Sequence, residues 1–335
     1  MDTFRRDGLT FDVTDTAPGG RPGEGSGAPV ALCLHGFPQD RSAWDGVAPR
    51  LAAAGVRVLA PDQRGYSPGA RPRGRRPYAL PELVADAVAL LDAAGVARAH
   101  VVGHDWGGVV AWALAARHPD RVASLTALSQ AHPAAMARAV TRSDQLLRSA
   151  YVLGFQVPWL PERVLLRRGS RGLRETLRRT GLPDELAAGY ARRAGEGGRL
   201  TAALGWYRAL PFSGGVGRVG VPVTYLSGRD DPFYARAAVE GTADLVLGPY
   251  EHRVLPTGHW VPVFRGFAAD LGLDLPTYDA AVADPATLQR VGQDLMDGQA
   301  LGVQGTPTFF LDGQRIEPTS PDHFRELVDQ ALAAD

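Results

Sequence analysis

Three side chains, Asp105, Asp231 and His259, have types and local settings that suit nucleophilic catalysis. Asp105 is the centre of Gly103-His104-Asp105-Trp106-Gly107-Gly108. An apolar run precedes this motif and a helical pattern over 109–117 follows it. The aspartate would therefore stand on the sharp strand-to-helix bend that exposes a nucleophile, with the flanking glycines relieving crowding. Taken alone, the motif equally suits a carboxylate placed at a helix N-terminus, where the dipole favours negative charge. The remaining motifs favour the nucleophile. His35-Gly36-Phe37-Pro38, Asp62-Gln63-Arg64-Gly65, Gly228-Arg229-Asp230-Asp231-Pro232 and Gly258-His259-Trp260 each follow a run that reads as a strand. A carboxylate that attacks carbon forms an ester. A histidine can then activate water against that ester, and an acid can hold the imidazole in the right tautomer.

The elements that must position these groups alternate along the chain. Strand-like runs cover 30–34, 56–60, 100–102 and 122–128, and a helix is expected over 81–94 from apolar Leu83, Val84, Ala87, Val88 and Leu91. Such alternation predicts a mostly parallel sheet covered on both faces. Sheets of this kind bind ligands at the carboxyl ends of their strands. From 132 to about 212 the chain is rich in Ala, Leu and Arg and reads as helices inserted between two halves of the sheet. Strand signals return at 221–226 and 252–255. Segments 17–28 and 68–77 read as loops, and the four arginines of the second as solvated surface.

Composition narrows the functional classes. The chain has 335 residues, with 36 basic and 36 acidic side chains and a net charge of zero. No lysine is present, so every basic residue is arginine. That balance gives no reason to expect a nucleic-acid partner or an anionic membrane surface. The one cysteine, Cys33, lies in an apolar run and is expected to be an inert core thiol. Residues 1–9 carry charges and no apolar stretch, and no run is long enough to span a bilayer, so a cytoplasmic enzyme is expected.

Residues 8 to about 262 resemble the epoxide hydrolase branch of the α/β-hydrolases, which use the chain order nucleophile, acid, histidine. The resemblance implies Asp105 as nucleophile, His259 as the base and Asp231 as its acid. In the resembled motif the acid stands three residues after glycine and before proline, which selects Asp231 over Asp230. It implies oxyanion donors at the backbone N–H groups of Phe37 and Trp106. It further implies a helical cap with two tyrosines that donate to the epoxide oxygen: Tyr151, in Tyr151-Val152-Leu153-Gly154-Phe155-Gln156, and Tyr207, in Trp206-Tyr207-Arg208. Phe37, Trp106, Trp159 and Trp206 are candidates to line an apolar substrate pocket. The implied substrate is a small apolar epoxide, opened to a vicinal diol without metal or cofactor.

The same aspartate serves haloalkane and haloacetate dehalogenases. Phe37, however, lacks the side-chain donor that haloalkane dehalogenases place there. Among the other histidines, His35 and His104 flank motif glycines and are expected to brace loops. His100, His118, His132, His252 and His323 are expected at the surface or in turns.

The end of the chain is unlike a hydrolase. Residues 263–273 make a short, glycine-containing helical pattern. Residues 264–335 resemble the C-terminal half of a DsbA-type thioredoxin-fold protein, carried by Leu301-Gly302-Val303-Gln304-Gly305-Thr306-Pro307-Thr308-Phe309-Phe310-Leu311-Asp312-Gly313. The resemblance implies a cis bond before Pro307. Helix starts are read at Asp284-Pro285 and Ser320-Pro321, and a hairpin around Asp312-Gly313. No Cys-x-x-Cys is present, so this segment cannot run thiol–disulfide exchange. The expected organisation is a hydrolase core over 1–131 and 214–263, a helical cap over 132–213, and a partial thioredoxin-like segment over 264–335. A further reading is a fusion whose missing last hydrolase helix leaves it unstable and catalytically impaired.

Overall fold

A computed structural model describes residues 1–17, 28–261, 309–311, 314–316 and 325. The chain divides into two compact units, Met1–Ala280 and Ala281–Asp335.

The first unit is built on an eight-stranded sheet. Its strands are β1 (Thr3–Arg6), β2 (Leu9–Asp15), β3 (Val30–Leu34), β4 (Arg57–Pro61), β5 (Ala99–His104), β6 (Val122–Leu128), β7 (Val223–Gly228) and β8 (Tyr250–Leu255), in the order β1-β2-β4-β3-β5-β6-β7-β8. The six strands from β3 to β8 are parallel, and the β1–β2 hairpin joins β4 antiparallel. The hairpin went unread in the sequence. Its turn is Asp7-Gly8, both residues in left-handed backbone, which is the pairing that two-residue hairpins favour.

Alternation along the strands explains why the central runs are apolar throughout. In β3, Leu32 and Leu34 join one buried cluster, while Ala31 and Cys33 join another. Successive side chains point to opposite faces, and both faces are covered. Helices α2 (Leu80–Ala93) and α3 (Trp106–Arg117) contribute to the first cluster, and α1 (Ala48–Ala53) to the second. Cys33 is buried, and burial pushes its thiol up to about 12.

Between β6 and β7 the chain forms the helical insertion. It comprises α4 (Pro133–Val140), α5 (Gln145–Arg148), α6 (Tyr151–Gln156), α7 (Leu160–Leu165), α8 (Arg167–Arg179), α9 (Asp184–Ala194), α10 (Arg199–Arg208) and α11 (Leu210–Ser213). The short α12 (Arg236–Glu240) follows β7. The arginine-rich loop 68–77 is only partly solvated. Arg71 reaches from it to the carbonyls of Gly197 (3.0 Å) and Tyr66 (2.9 Å), tying it to the insertion. Among the described residues, no helix is long and apolar enough to cross a membrane.

In the second unit, β9 (Phe309–Leu311) pairs antiparallel with β10 (Gln314–Ile316), as the Asp312-Gly313 spacing suggests. The helical pattern over 263–273, the helix starts at 284–285 and 320–321, the Pro307 bond and most of loop 17–28 lie outside the described residues.

Candidate active site

Strand order brings the motifs together. β3 lies beside β5 with Leu34 opposite Gly103, so the loops that follow meet directly. Asp105 takes the bend between β5 and α3 with φ 50° and ψ −123°, a conformation that costs a non-glycine residue on the order of 1–3 kcal/mol. The approach is too close for any side chain. A Cβ on Gly36 would stand 2.4 Å from the Cβ of Asp105, and one on Gly107 would stand 2.1 Å from the Leu34 carbonyl oxygen.

The carboxylate of Asp105 divides its two oxygens between different partners. Oδ1 accepts from the Phe37 N–H at 2.8 Å. Oδ2 lies 3.6 Å from His259 Nε2. On its other side, His259 Nδ1 stands 2.9 Å from Asp231 Oδ2, and Asp231 Oδ1 accepts from the Phe233 N–H at 2.9 Å. Asp231 rather than its exposed neighbour Asp230 therefore reaches the imidazole. Trp106 is the first residue of α3, so its N–H is one of the helix's unpaired N-terminal donors.

Charge at the site is set by this arrangement. Burial would lower the His259 pKa, but the charge of Asp231 and the nearness of Asp105 overcome it and push it up to about 10. Burial would likewise raise Asp105, and His259 with the Phe37 N–H holds it below the ordinary carboxylate range. His104 is buried and pushed down to about 4, first by burial and then by His259. It stays neutral and bridges the Gln39 side chain (Nδ1, 2.8 Å) and the His259 carbonyl (Nε2, 3.0 Å). It thus braces the loop that carries His259.

Above these groups lies a mostly apolar cavity of about 240 Å³. Phe37, Asp105, Phe233, His259 and Trp260 line it from the sheet loops. Tyr151, Phe155, Leu173, Leu177 and Tyr207 line it from the insertion. The two tyrosine rings meet edge to face, with centroids 6.1 Å apart. Burial raises both phenols above their ordinary value, reinforced by the Asp105 charge, so both remain protonated. Tyr207 is enclosed, with Phe37 and Trp106 against its ring at 5.3 and 5.0 Å. Tyr151 is partly exposed and marks the cavity rim.

The tryptophans expected in the pocket are elsewhere. Trp206 is fully buried, donates to the Arg64 carbonyl (2.7 Å) and packs on Tyr66. Adjacent helical positions point roughly 100° apart, so Tyr207 faces the cavity and Trp206 the core. Trp106 backs Tyr207 without lining the cavity. Trp159 is 62% exposed, beneath the Arg163 guanidinium. His132 is also misplaced by the sequence reading: it is buried and caps α4, accepting from the Ala134 N–H at 3.1 Å. Sequence reasoning missed Phe155, Phe233, Trp260, Leu173 and Leu177. For Phe155 a signal existed, since it is four residues after Tyr151 on one helix face.

Asp40 was missed as well. Its buried carboxylate receives Arg199 Nη2 at 2.8 Å and the Arg193 Nε–H, so the loop after β3 is pinned to α9 and α10. Burial alone would raise Asp40, but Ser42 and the two arginines hold it low.

Comparison with known proteins adds an independent line. Residues 29–265 match the family model for the alpha/beta hydrolase fold, and residues 261–329 match that for a DSBA-like thioredoxin domain. Epoxide hydrolase A of Mycobacterium tuberculosis is 32% identical, covering 70% of this chain and 86% of that protein. The AB hydrolase superfamily protein YfhM of Bacillus subtilis is 34% identical, covering 70% and 81%. The solved structure of epoxide hydrolase A from Mycobacterium thermoresistibile superposes with a TM-score of 0.65 at 25% identity, covering 81% of this chain and 95% of that one.

Proposed function

The chain belongs to the α/β-hydrolase family, in its epoxide hydrolase branch, and from that premise we propose that Asp105 opens small apolar epoxides through a covalent ester. Oδ2 attacks a ring carbon, the carbon–oxygen bond breaks, and the departing oxygen takes a proton from Tyr151 or Tyr207. A serine at this bend would leave an ether, which water does not readily cleave. An aspartate leaves an ester, which hydrolysis at the carboxyl carbon can release.

Alkylation also changes the base. Once Asp105 is an ester its negative charge is gone, and one of the two groups that raise His259 is lost. The imidazole then passes its proton to the tyrosinate left by ring opening and can take one from water. That water adds to the Asp105 carboxyl carbon. The developing oxyanion forms on Oδ1, where the Phe37 N–H already points, and such a donor typically lowers the barrier by about 3–4 kcal/mol. Collapse expels the alkoxide, which takes the remaining proton of the added hydroxyl and leaves as the diol, and Asp231 holds the imidazole throughout.

The observation that carries this reading is the placement of one imidazole between two unlike carboxylates. Asp231 is fixed by a backbone amide, and Asp105 opens onto an apolar cavity with two phenols. A single turnover in heavy-oxygen water tests it. Label is expected in the Asp105 carboxylate and not in the first equivalent of diol, and Asp105→Ala should lose about 10⁴-fold or more in turnover. Label appearing first in the diol would refute the ester route.

A further inference from the structure

The insertion carries an exposed apolar face. Leu146, Leu147, Leu153, Trp159, Leu160 and Val164 stand outward on the consecutive helices α5, α6 and α7 and their connections, with Leu147 77% and Leu153 67% exposed. Single exposed leucines need no explanation, but a run of large apolar side chains marks an interaction surface.

The charge around it is equally uneven. Between residues 132 and 213 there are 14 arginines and 6 acidic residues, in a chain whose net charge is zero. The basic excess is therefore local, and the rest of the chain carries the compensating carboxylates. Arg163, Arg167, Arg168 and Arg171 are exposed along α7 and α8, directly after the apolar run. Arg163 lies over the Trp159 ring at 5.9 Å.

We propose that this face docks on an anionic lipid surface, with the leucines and Trp159 entering the headgroup boundary and the arginines meeting lipid phosphates. Apolar side chains beside a basic rim are the chemistry of interfacial helices, and tryptophan favours that boundary. A soluble partner would need a matching acidic, apolar surface of defined shape, whereas a bilayer supplies both features without one. The docking does not depend on the epoxide reading.

The test is sedimentation of the full chain with vesicles of phosphatidylglycerol or of phosphatidylcholine, without substrate. Binding to phosphatidylglycerol is expected, weakening as salt screens the arginines and far weaker on phosphatidylcholine. A Leu147→Ser/Leu153→Ser variant should lose about tenfold or more in partitioning. It should keep its melting temperature and its turnover of a water-soluble epoxide. No binding to either vesicle, or undiminished binding by the variant, overturns the proposal. So does a concentration-dependent dimer that the variant dissolves, which would assign the face to a second copy. Asp105→Ala should bind vesicles normally, so a failed reaction and a failed docking are read separately.

Discussion

Nε2 of His259 lies 3.6 Å from Oδ2 of Asp105, longer than a hydrogen bond, while the same ring is held at 2.9 Å by Asp231. The imidazole is thus fixed from behind and loose in front, where a water hydrogen-bonded to Nε2 can approach the Asp105 carboxyl carbon.

Removing the base should separate the two chemical steps. His259→Gln leaves Asp105 with its Phe37 hydrogen bond but removes the group that activates water. One equivalent of epoxide should be consumed without turnover. Intact-mass measurement should show the protein heavier by one substrate, localised to the peptide that contains Asp105. Absence of that adduct at full folding would argue against the ester.

The raised His259 pKa has a consequence for stability. Protonation of the folded state is favoured, so the contribution is complete below the ordinary value of 6.5 and is lost as pH rises toward about 10. Between those limits the unfolding free energy of the wild type should fall more steeply than that of His259→Gln. Denaturant titrations at several pH values read the difference, and equal slopes would contradict the assignment.

The two phenols should share the work of protonating the leaving oxygen. Tyr151→Phe or Tyr207→Phe should each slow ring opening by about tenfold or more. The double variant should lose on the order of 10³-fold, within the usual range for general-acid catalysis. Pre-steady-state quenching of the alkylation step is the appropriate readout, and an unaffected double variant would remove both from the mechanism.

Asp40 should matter without touching substrate. Asp40→Ala would strand the buried Arg199 guanidinium beside the loop that carries Phe37. Removing one partner of a buried pair typically costs about 3–5 kcal/mol. A fall of that size in chemical denaturation is expected, with Asp40→Glu recovering part of it.

Much of this arrangement was legible because it is local. Continuous apolar runs such as Val30–Leu34 announced the buried strands, and glycines around Asp105 announced the bend. Asp231 and His259 were legible because each follows its strand by a few residues. The cavity wall was not, because it is assembled from α6, α8, α10 and four sheet loops that only the fold brings together. Residue type misled at Trp159 and Trp206, since an aromatic side chain serves a pocket, a core or a surface equally well. Asp40 has no sequence signal at all, as its arginines lie more than 150 residues away.

The backbone of Asp105 is held in a region that glycine enters freely and aspartate does not. Asp105→Gly would relieve that distortion, yet it would strand the Phe37 N–H and take a carboxylate away from a protonated imidazole. Backbone relief and the loss of those two contacts act in opposite directions, so the tension at this bend is held in place by the partners of the side chain itself.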